Sequence, residues 1–373
     1  MGDRILFVIF VLFTFTVLIQ IFYYLYFYLA VYLYKQKDKS SAIFPVSVII
    51  CARNEAENLK NFLPSVLEQD YPSFEVIVVN DCSEDNSYNI LGEYLLKYPH
   101  LKVSTINKDP KFTHNKKFAQ FIGIKAAKNE ILLFTDADCR PKTNKWLEGM
   151  ISNFNENTNF VLGYGSYMKK KGLLNTFIRY DAVIIGMQYF GLAIRGIPYM
   201  GVGRNLAYRR SVFFTSKGFK SHTHLASGDD DLFINNNARS VDTCVEFRPE
   251  AHTVSVPCSN LKEWIAQKRR HLTTAPYYKQ KDKLLLLTEP LSRMIFYSAF
   301  IILLSFSYLW ILVLVIFGLK IFTQAAVFSA VQKKLDEKGL LAYLFIFDIF
   351  SPIINGLLFI SNNMRRSNKN EWR

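Results

Sequence analysis

The sequence predicts an α/β protein with a doubly wound, mainly parallel sheet, flanked by transmembrane helices. Three observations carry this. Between about residues 44 and 167, short apolar runs alternate with helical stretches. The stretch from Ile5 to Tyr34 is apolar and aromatic without one charge. Two more apolar blocks follow the polar region, at about Met294 to Phe322 and Leu340 to Ile360.

The first run would make about 30 helical residues, roughly 45 Å, enough to cross a bilayer with tilt. It is too long for a cleavable signal and ends at "YLYKQKDKS", so residues 1–36 read as a retained anchor. Residues 284–322 read as one tilted span or a hairpin of two short helices, 323–339 as an amphipathic linker, and 340–373 as a span with a basic tail. With "KQKDKS" on the cytoplasmic side, two further crossings return "MRRSNKNEWR" to that side, so three spans are expected and four are the alternative. No charge pair is expected inside the spans, which argues against a transporter.

A net charge of +14 in a soluble chain would suggest nucleic acid, but these lysines crowd beside hydrophobic segments. Membrane lipids with anionic headgroups are the simpler partner, and nucleic acid is not expected. The five cysteines, Cys51, Cys82, Cys139, Cys244 and Cys258, lack C-x-x-C spacing and read as free thiols, without a zinc site.

Along the polar region "PVSVIICA", "FEVIVVND", "LKVSTIN" and "EILLFTDADC" read as strands. Between them "NEAENLKNFLPSVLEQ", "SYNILGEYLLKY" and "HNKKFAQFIGIKAAK" read as helices. In such sheets ligands bind beyond the carboxyl ends of the strands. That edge receives Asn54 and Glu55 from the first strand, Asp81 from the second, and Asp136 and Asp138 from the fourth. A D-x-D triplet alone is commonplace, and each acid separately reads equally well as a cap or turn residue. Their convergence is what points to a site. No G-x-G-x-x-G or G-x-x-x-x-G-K-[ST] follows a strand, which disfavours dinucleotide enzymes and P-loop ATPases. Carboxylates suit a hard cation bridging to phosphates, so a nucleotide-diphosphate substrate is expected.

"PVSVIICARNEAENL", "VIVVNDCSEDNS", "ILLFTDADCRP", "ASGDDDLFINNNA" and "AQKRRHL" stand in the order and rough spacing of the family 2 glycosyltransferases. The chain resembles these inverting GT-A-fold enzymes, the membrane-anchored ones in particular, over residues 44–275. The resemblance implies that Ala52, Arg53 and Glu55 contact the nucleotide and that Asp81 binds nucleobase or ribose. Asp136 and Asp138 match the family's D-x-D, with Asp136 near ribose or sugar and Asp138 on Mg2+ or Mn2+; Asp136 is carried as a second metal candidate. Lys116 or Lys117 would lie near the nucleotide, Lys117 being the one carried forward. "GDDDLF" matches the segment of the catalytic base, which falls on Asp230, with Asp229 the alternative. The competing reading is an acidic helix start. "QKRRH" stands where processive members have Gln-x-x-Arg-Trp, so Gln267 and Arg270 would bind the donor, with Arg269 an even choice between diphosphate and lipid headgroups. His271 replaces the tryptophan, which puts processive synthesis in doubt.

The expected function is metal-dependent, inverting sugar transfer to a lipid or lipid-linked glycan. A processive polysaccharide synthase and a non-catalytic membrane scaffold with a nucleotide-sugar fold are the alternatives. Within "YFGLAIRGIPYMGVGRNLAYRR", Gly191, Gly196, Gly201 and Gly203 permit close approach, and Arg204 and Asn205 offer donors for the acceptor side. The same segment reads equally as a helix lying on the bilayer. The expected location is a bacterial inner membrane with the catalytic domain cytoplasmic.

Overall fold

The computed structural model describes residues 2–36, 42–108 and 115–364. The lysines of "KQKDKS" beyond Gln36 and the basic tail from Arg365 lie outside the described residues.

Helix α1 (Gly2–Phe22) passes through a π-helical stretch, Tyr23–Tyr28, into α2 (Leu29–Leu33). The chain then alternates β1 (Val46–Ala52), α3 (Ala56–Leu67), β2 (Phe74–Asp81), α4 (Ser87–Lys97), β3 (Leu101–Ile106), α5 (Lys116–Ala126) and β4 (Ile131–Asp136). There follow β5 (Cys139–Pro141), α6 (Trp146–Ile151), β6 (Phe160–Gly163), β7 (Gly165–Tyr167) and the long α7 (Leu173–Ile194). Next come β8 (Leu206–Arg209), α8 (Arg210–Thr215), α9 (Asp231–Asn237), β9 (Thr243–Glu246), β10 (Thr253–Ser255) and α10 (Leu261–Leu272). Three helices close the described chain: α11 (Gln280–Ser305), α12 (Trp310–Lys334) and α13 (Leu344–Met364).

The main sheet has the order β3-β2-β1-β4-β8-β6-β9. Its first four strands are parallel, as the alternation predicts, and β8 runs antiparallel to both its neighbours. All of β1 is buried, which is why "VSVIICA" is apolar without alternating. Ile49, Ile77, Val79 and Phe134 face one core, and Val48, Ile50, Val76, Val78 and Leu133 face the other. The first core runs on through α7 into Tyr23, Tyr24, Phe27 and Tyr28 of the anchor, so catalytic domain and anchor share one apolar interior. Gly191 permits this contact, because a Cβ there would stand 2.5 Å from the Phe27 carbonyl oxygen.

Among the described residues, five helices are long and apolar enough to cross a membrane: Gly2–Leu33, Leu173–Ile194, Gln280–Ser305, Trp310–Lys334 and Leu341–Asn362. The block expected as one span or two short helices is a hairpin of two full-length ones, turning through Ser307 and Leu309, both at positive φ. Residues 323–334, expected in a linker, continue α12. Two residues misdirect the sequence reading. Pro290 lies inside α11 rather than before it, and the nearby carbonyls of Leu285 and Glu289 accept from Tyr23 and Gln20 of the anchor. Lys320 lies inside α12 because its charge is paired there.

That pairing corrects a further expectation. Asp348 Oδ2 accepts from Lys320 Nζ at 2.9 Å and from Tyr297, and its Oδ1 accepts from Arg293 at 2.8 Å. Arg293 also holds Glu289 at 2.7 Å. These charges are all buried, so the helical bundle does contain ion pairs. The pairing itself, with further bonds from Arg293 to Ser351 and from Lys320 to Gln324, makes such burial tolerable.

Candidate active site

The parallel strands end level with one another: Cys51 of β1 is in register with Asp136 of β4, and Ala52 with Asn80 of β2. The loops beyond are laced together. Asn54, at φ 56° in the left-handed region, accepts from Glu84 N–H, while Ser83 and Asp85 accept from the N–H groups of Asn54 and Ala56. This fixes Glu55 at the start of α3, where its carboxyl is pushed up to about 7, by burial first and then by Asp138, Asp136 and Asp85, despite a hydrogen bond from Asn58. Glu55 therefore belongs to the same acidic wall as the D-x-D pair. Ala52 and Asp81 are fully enclosed at their strand ends, and Arg53 is half-buried beside them.

Asp136 ends β4 and Asp138 follows two positions later, after Ala137, both partly buried. Ligand atoms of Asp136, Asp138 and Cys139 lie within 4.8 Å of one another. Burial and the charge of Asp136 push the Asp138 carboxyl up to about 6. Two crowded carboxylates are a donor set that fits a hard divalent cation. Cys139 does not add to it: its thiol is pushed well up by burial and contacts Ser255 Oγ at 2.8 Å.

The two adjacent lysines part company. Lys116 Nζ lies 2.7 Å from Asp136 Oδ1 and 3.4 Å from Asp229 Oδ2. Burial would lower its pKa, but the carboxylates of Asp136, Asp229 and Asp230 hold the ammonium charged. Lys117, expected at the nucleotide, turns the other way and donates to the carbonyls of His222 and Ser227. It ties down the loop before Gly228, and Lys116 is the cleft lysine. Asn115 caps α5, and consecutive helix positions point about 100° apart.

Gly228, at φ 107°, turns the chain into Asp229-Asp230-Asp231, and a Cβ there would meet Leu232 and His222. The three acids have different partners. Burial would raise Asp229, but Lys116 holds it below the usual carboxylate range, and Gln120 donates to it at 3.0 Å. Asp231 faces away and accepts from the hydroxyls of Thr274 and Tyr278. Asp230 is partly exposed and, among the described residues, accepts hydrogen bonds only from backbone N–H groups, Gly203 at 2.7 Å and Asp231 at 2.7 Å. Burial, then Asp229 and Asp231, push it up to about 7. A carboxylate with spare lone pairs and that affinity is suited to accept a proton.

Only part of the segment from Tyr189 to Arg210 reaches this cleft. Gly203 does, through its N–H. Asn205, expected to offer donors, is fully buried and spends its amide on Trp146, Tyr164 and Ala251. Arg204 bonds the Gly165 carbonyl and Tyr167, over whose ring it stacks at 4.5 Å. Both side chains are thus bonded within the fold, and the charge of Arg204 reaches Asp138. Gly203 was named only for its lack of a side chain, and nothing local in the sequence signals that its N–H meets Asp230.

The two arginines of α10 also separate. Arg269 donates to Ser361 of α13 at 3.1 Å and so faces away from the carboxylates. The charge of Arg270 reaches Asp229 and Cys258, on the cleft side. Gln267 accepts from the Cys258 thiol at 3.6 Å, on the same side of the helix as Arg270.

The family model described as Glycosyl transferase family 2 matches residues 47–214. The chain is similar to glycosyltransferase AglE of Haloferax volcanii, at 35% identity over 29% of this chain and 34% of that protein. It is also similar to the probable glycosyltransferase YdaM of Bacillus subtilis, at 27% identity over 60% of this chain and 54% of that one. The chain thus spans about half, or less, of the length of these curated relatives. Among solved structures it resembles the mannosyltransferase PcManGT of Pyrobaculum calidifontis, solved with GDP-Man and Mn2+. The TM-score is 0.57 at 17% identity, covering 93% of this chain and 99% of that one. That likeness is one of fold, and the fold is the expected GT-A arrangement.

Proposed function

We propose that this protein is an inverting glycosyltransferase, a reading supported by the match of residues 47–214 to the family model described as Glycosyl transferase family 2. It moves a sugar from a nucleotide-diphosphate donor to a lipid or lipid-linked glycan acceptor at the membrane, with the catalytic domain on the cytoplasmic face. The observation that carries this is the distinct state of Asp230, bound among the described residues by two backbone N–H groups alone and set in one cleft with Lys116, Asp136 and Asp138.

In the proposed step the acceptor hydroxyl oxygen attacks the anomeric carbon, the bond from that carbon to the diphosphate oxygen breaks, and the hydroxyl proton passes to an Asp230 oxygen. A single base with no second nucleophile implies inversion. Asp138, with Asp136 beside it, would hold Mg2+ or Mn2+; such a cation supplies positive charge against the departing diphosphate. Lys116 and Arg270 add fixed positive charge on the same side, and guanidinium suits phosphate oxygens. Ala52, Arg53, Glu55 and Asp81 would form the nucleotide end, and Gln267 stays on the Arg270 side.

The test is to incubate the detergent-solubilised full chain with Mn2+ or Mg2+, a membrane lipid extract and a panel of nucleotide sugars beginning with GDP-mannose. The expected result is divalent-dependent release of nucleoside diphosphate with one sugar on a lipid-soluble product. Failure of every donor to bind or turn over would overturn the proposal; long polymer from single encounters would replace it with processive synthesis.

A further inference from the structure

Length and composition give α13 the same standing as α1, α11 and α12, yet its contacts separate it from them. A helix of 21 residues is about 32 Å long, so if it crossed a bilayer its two ends would lie on opposite sides. Both ends of α13 are instead tied to the catalytic domain. At its start, the loop from α12 is gripped by that domain: Asp336 pairs with Lys142, and Arg179 of α7 bonds both Glu337 and the Lys338 carbonyl. At its end, Arg269 of α10 donates to Ser361 at 3.1 Å, and Asn362 donates back to the Arg269 carbonyl at 2.8 Å. Leu358 packs with Trp264 of α10 and Ile178 of α7. The α10 sequence, LKEWIAQKRRHL, is too charged to lie in hydrocarbon.

The surface of α13 is sided. Ile346, Phe350, Ile353, Leu357 and Ile360 recur at intervals of four and three residues and are 52, 53, 40, 63 and 57% exposed. The opposite face carries Asp348, bonded to Arg293 and Lys320, and Ser351, bonded to Arg293. An apolar stripe along the whole helix, with both ends on one side of the bundle, is the form of a helix lying in the headgroup boundary.

We infer that α13 does not cross the membrane but lies on the bilayer surface on the catalytic-domain side, with the stripe from Ile346 to Ile360 sunk into the lipid of that leaflet. Its partner is the lipid surface itself, continuous with the lipid-facing sides of α11 and α12. The crossings are then α1, α11 and α12, and the tail returns to the side of the catalytic domain. The helix also adjoins the site, since it holds Arg269, and the charge of the next residue, Arg270, reaches Asp229.

The inference stands apart from the proposed sugar transfer and is tested without it. The native cysteines all lie between Cys51 and Cys258, and Cys82 and Cys258 are partly exposed, so labelling with an impermeant maleimide marks the face of the catalytic domain. An epitope appended after Arg373 marks the tail. In sealed vesicles of either orientation, protease is expected to reach the epitope from the side on which the cysteines label. Protection of the epitope where the cysteines label would overturn the inference. As a second measurement, a nitroxide amino acid at Ile346, Ile353 or Ile360 is expected to report similar immersion depth at all three positions. A middle position clearly deeper than both ends would make α13 a crossing helix.

Discussion

Lys116 Nζ stands 2.7 Å from Asp136 Oδ1, at the head of a helix whose next residue, Lys117, is bonded on the opposite side to the His222 and Ser227 carbonyls. The consequence is a division of labour between adjacent lysines. Lys116→Met is expected to lower kcat/KM for the donor by about 100-fold, about 2.7 kcal/mol of transition-state stabilisation, with little change in thermal stability. Lys117→Met is expected to lower Tm and loosen the loop, because it removes the ammonium donor to the Ser227 carbonyl and one of the two donors to the His222 carbonyl. Steady-state kinetics and a melting curve on each variant check this; equal effects on both readouts would contradict it.

Asp138 shares its buried corner with Asp136, and their mutual repulsion is what a divalent cation relieves. Asp138→Asn is expected to abolish the response of donor binding to Mn2+ or Mg2+ while the fold is kept. Calorimetry with a nucleoside diphosphate, with and without the ion, reads this directly.

The Asp230 carboxyl is pushed up to about 7. A general base acts deprotonated, so below that pH the working form is depleted. Turnover is expected to rise with pH through about 7 and then level. A kcat profile that is flat between about pH 5.5 and 8 would remove Asp230 from that role.

Asp348 neutralises Lys320 and Arg293 together. Asp348→Asn would leave buried cations without their shared partner, at a cost of about 3–5 kcal/mol. The expected outcome is a large fall in the melting temperature of the detergent-solubilised protein, with the loss smaller in a Lys320→Met, Asp348→Asn double variant. Additive losses would show that the pair is not coupled.

The parallel strands were legible because "VSVIICA" and "VIVVND" are apolar on both faces, as strands buried on both sides must be. Their ends pointed to the carboxylate edge, and Asp136, Asp138 and the Asp229-Asp230 step all come to it. The choice between Lys116 and Lys117 was not legible, since the phase of a helix against a cleft is set by packing rather than by local residues. The same holds for Gly203, whose contribution is a backbone N–H. The continuation of α12 from Phe322 to Lys334 was not legible because the sequence there is no longer uniformly apolar, and only the fold reveals that Asp348 meets Lys320. In α13 apolar length dominated the reading, although the spacing of Ile346, Phe350, Ile353, Leu357 and Ile360 was already present in the sequence.

The central claim is that Asp230 takes the acceptor proton, and the most direct measurement is single-turnover transfer beside donor affinity in Asp230→Asn and Asp229→Asn. The account predicts a fall in transfer rate of about 1,000-fold for Asp230→Asn, with donor affinity within about threefold of the parent, and a smaller loss of rate for Asp229→Asn. Near-normal transfer by Asp230→Asn, or a greater loss in Asp229→Asn, would contradict it.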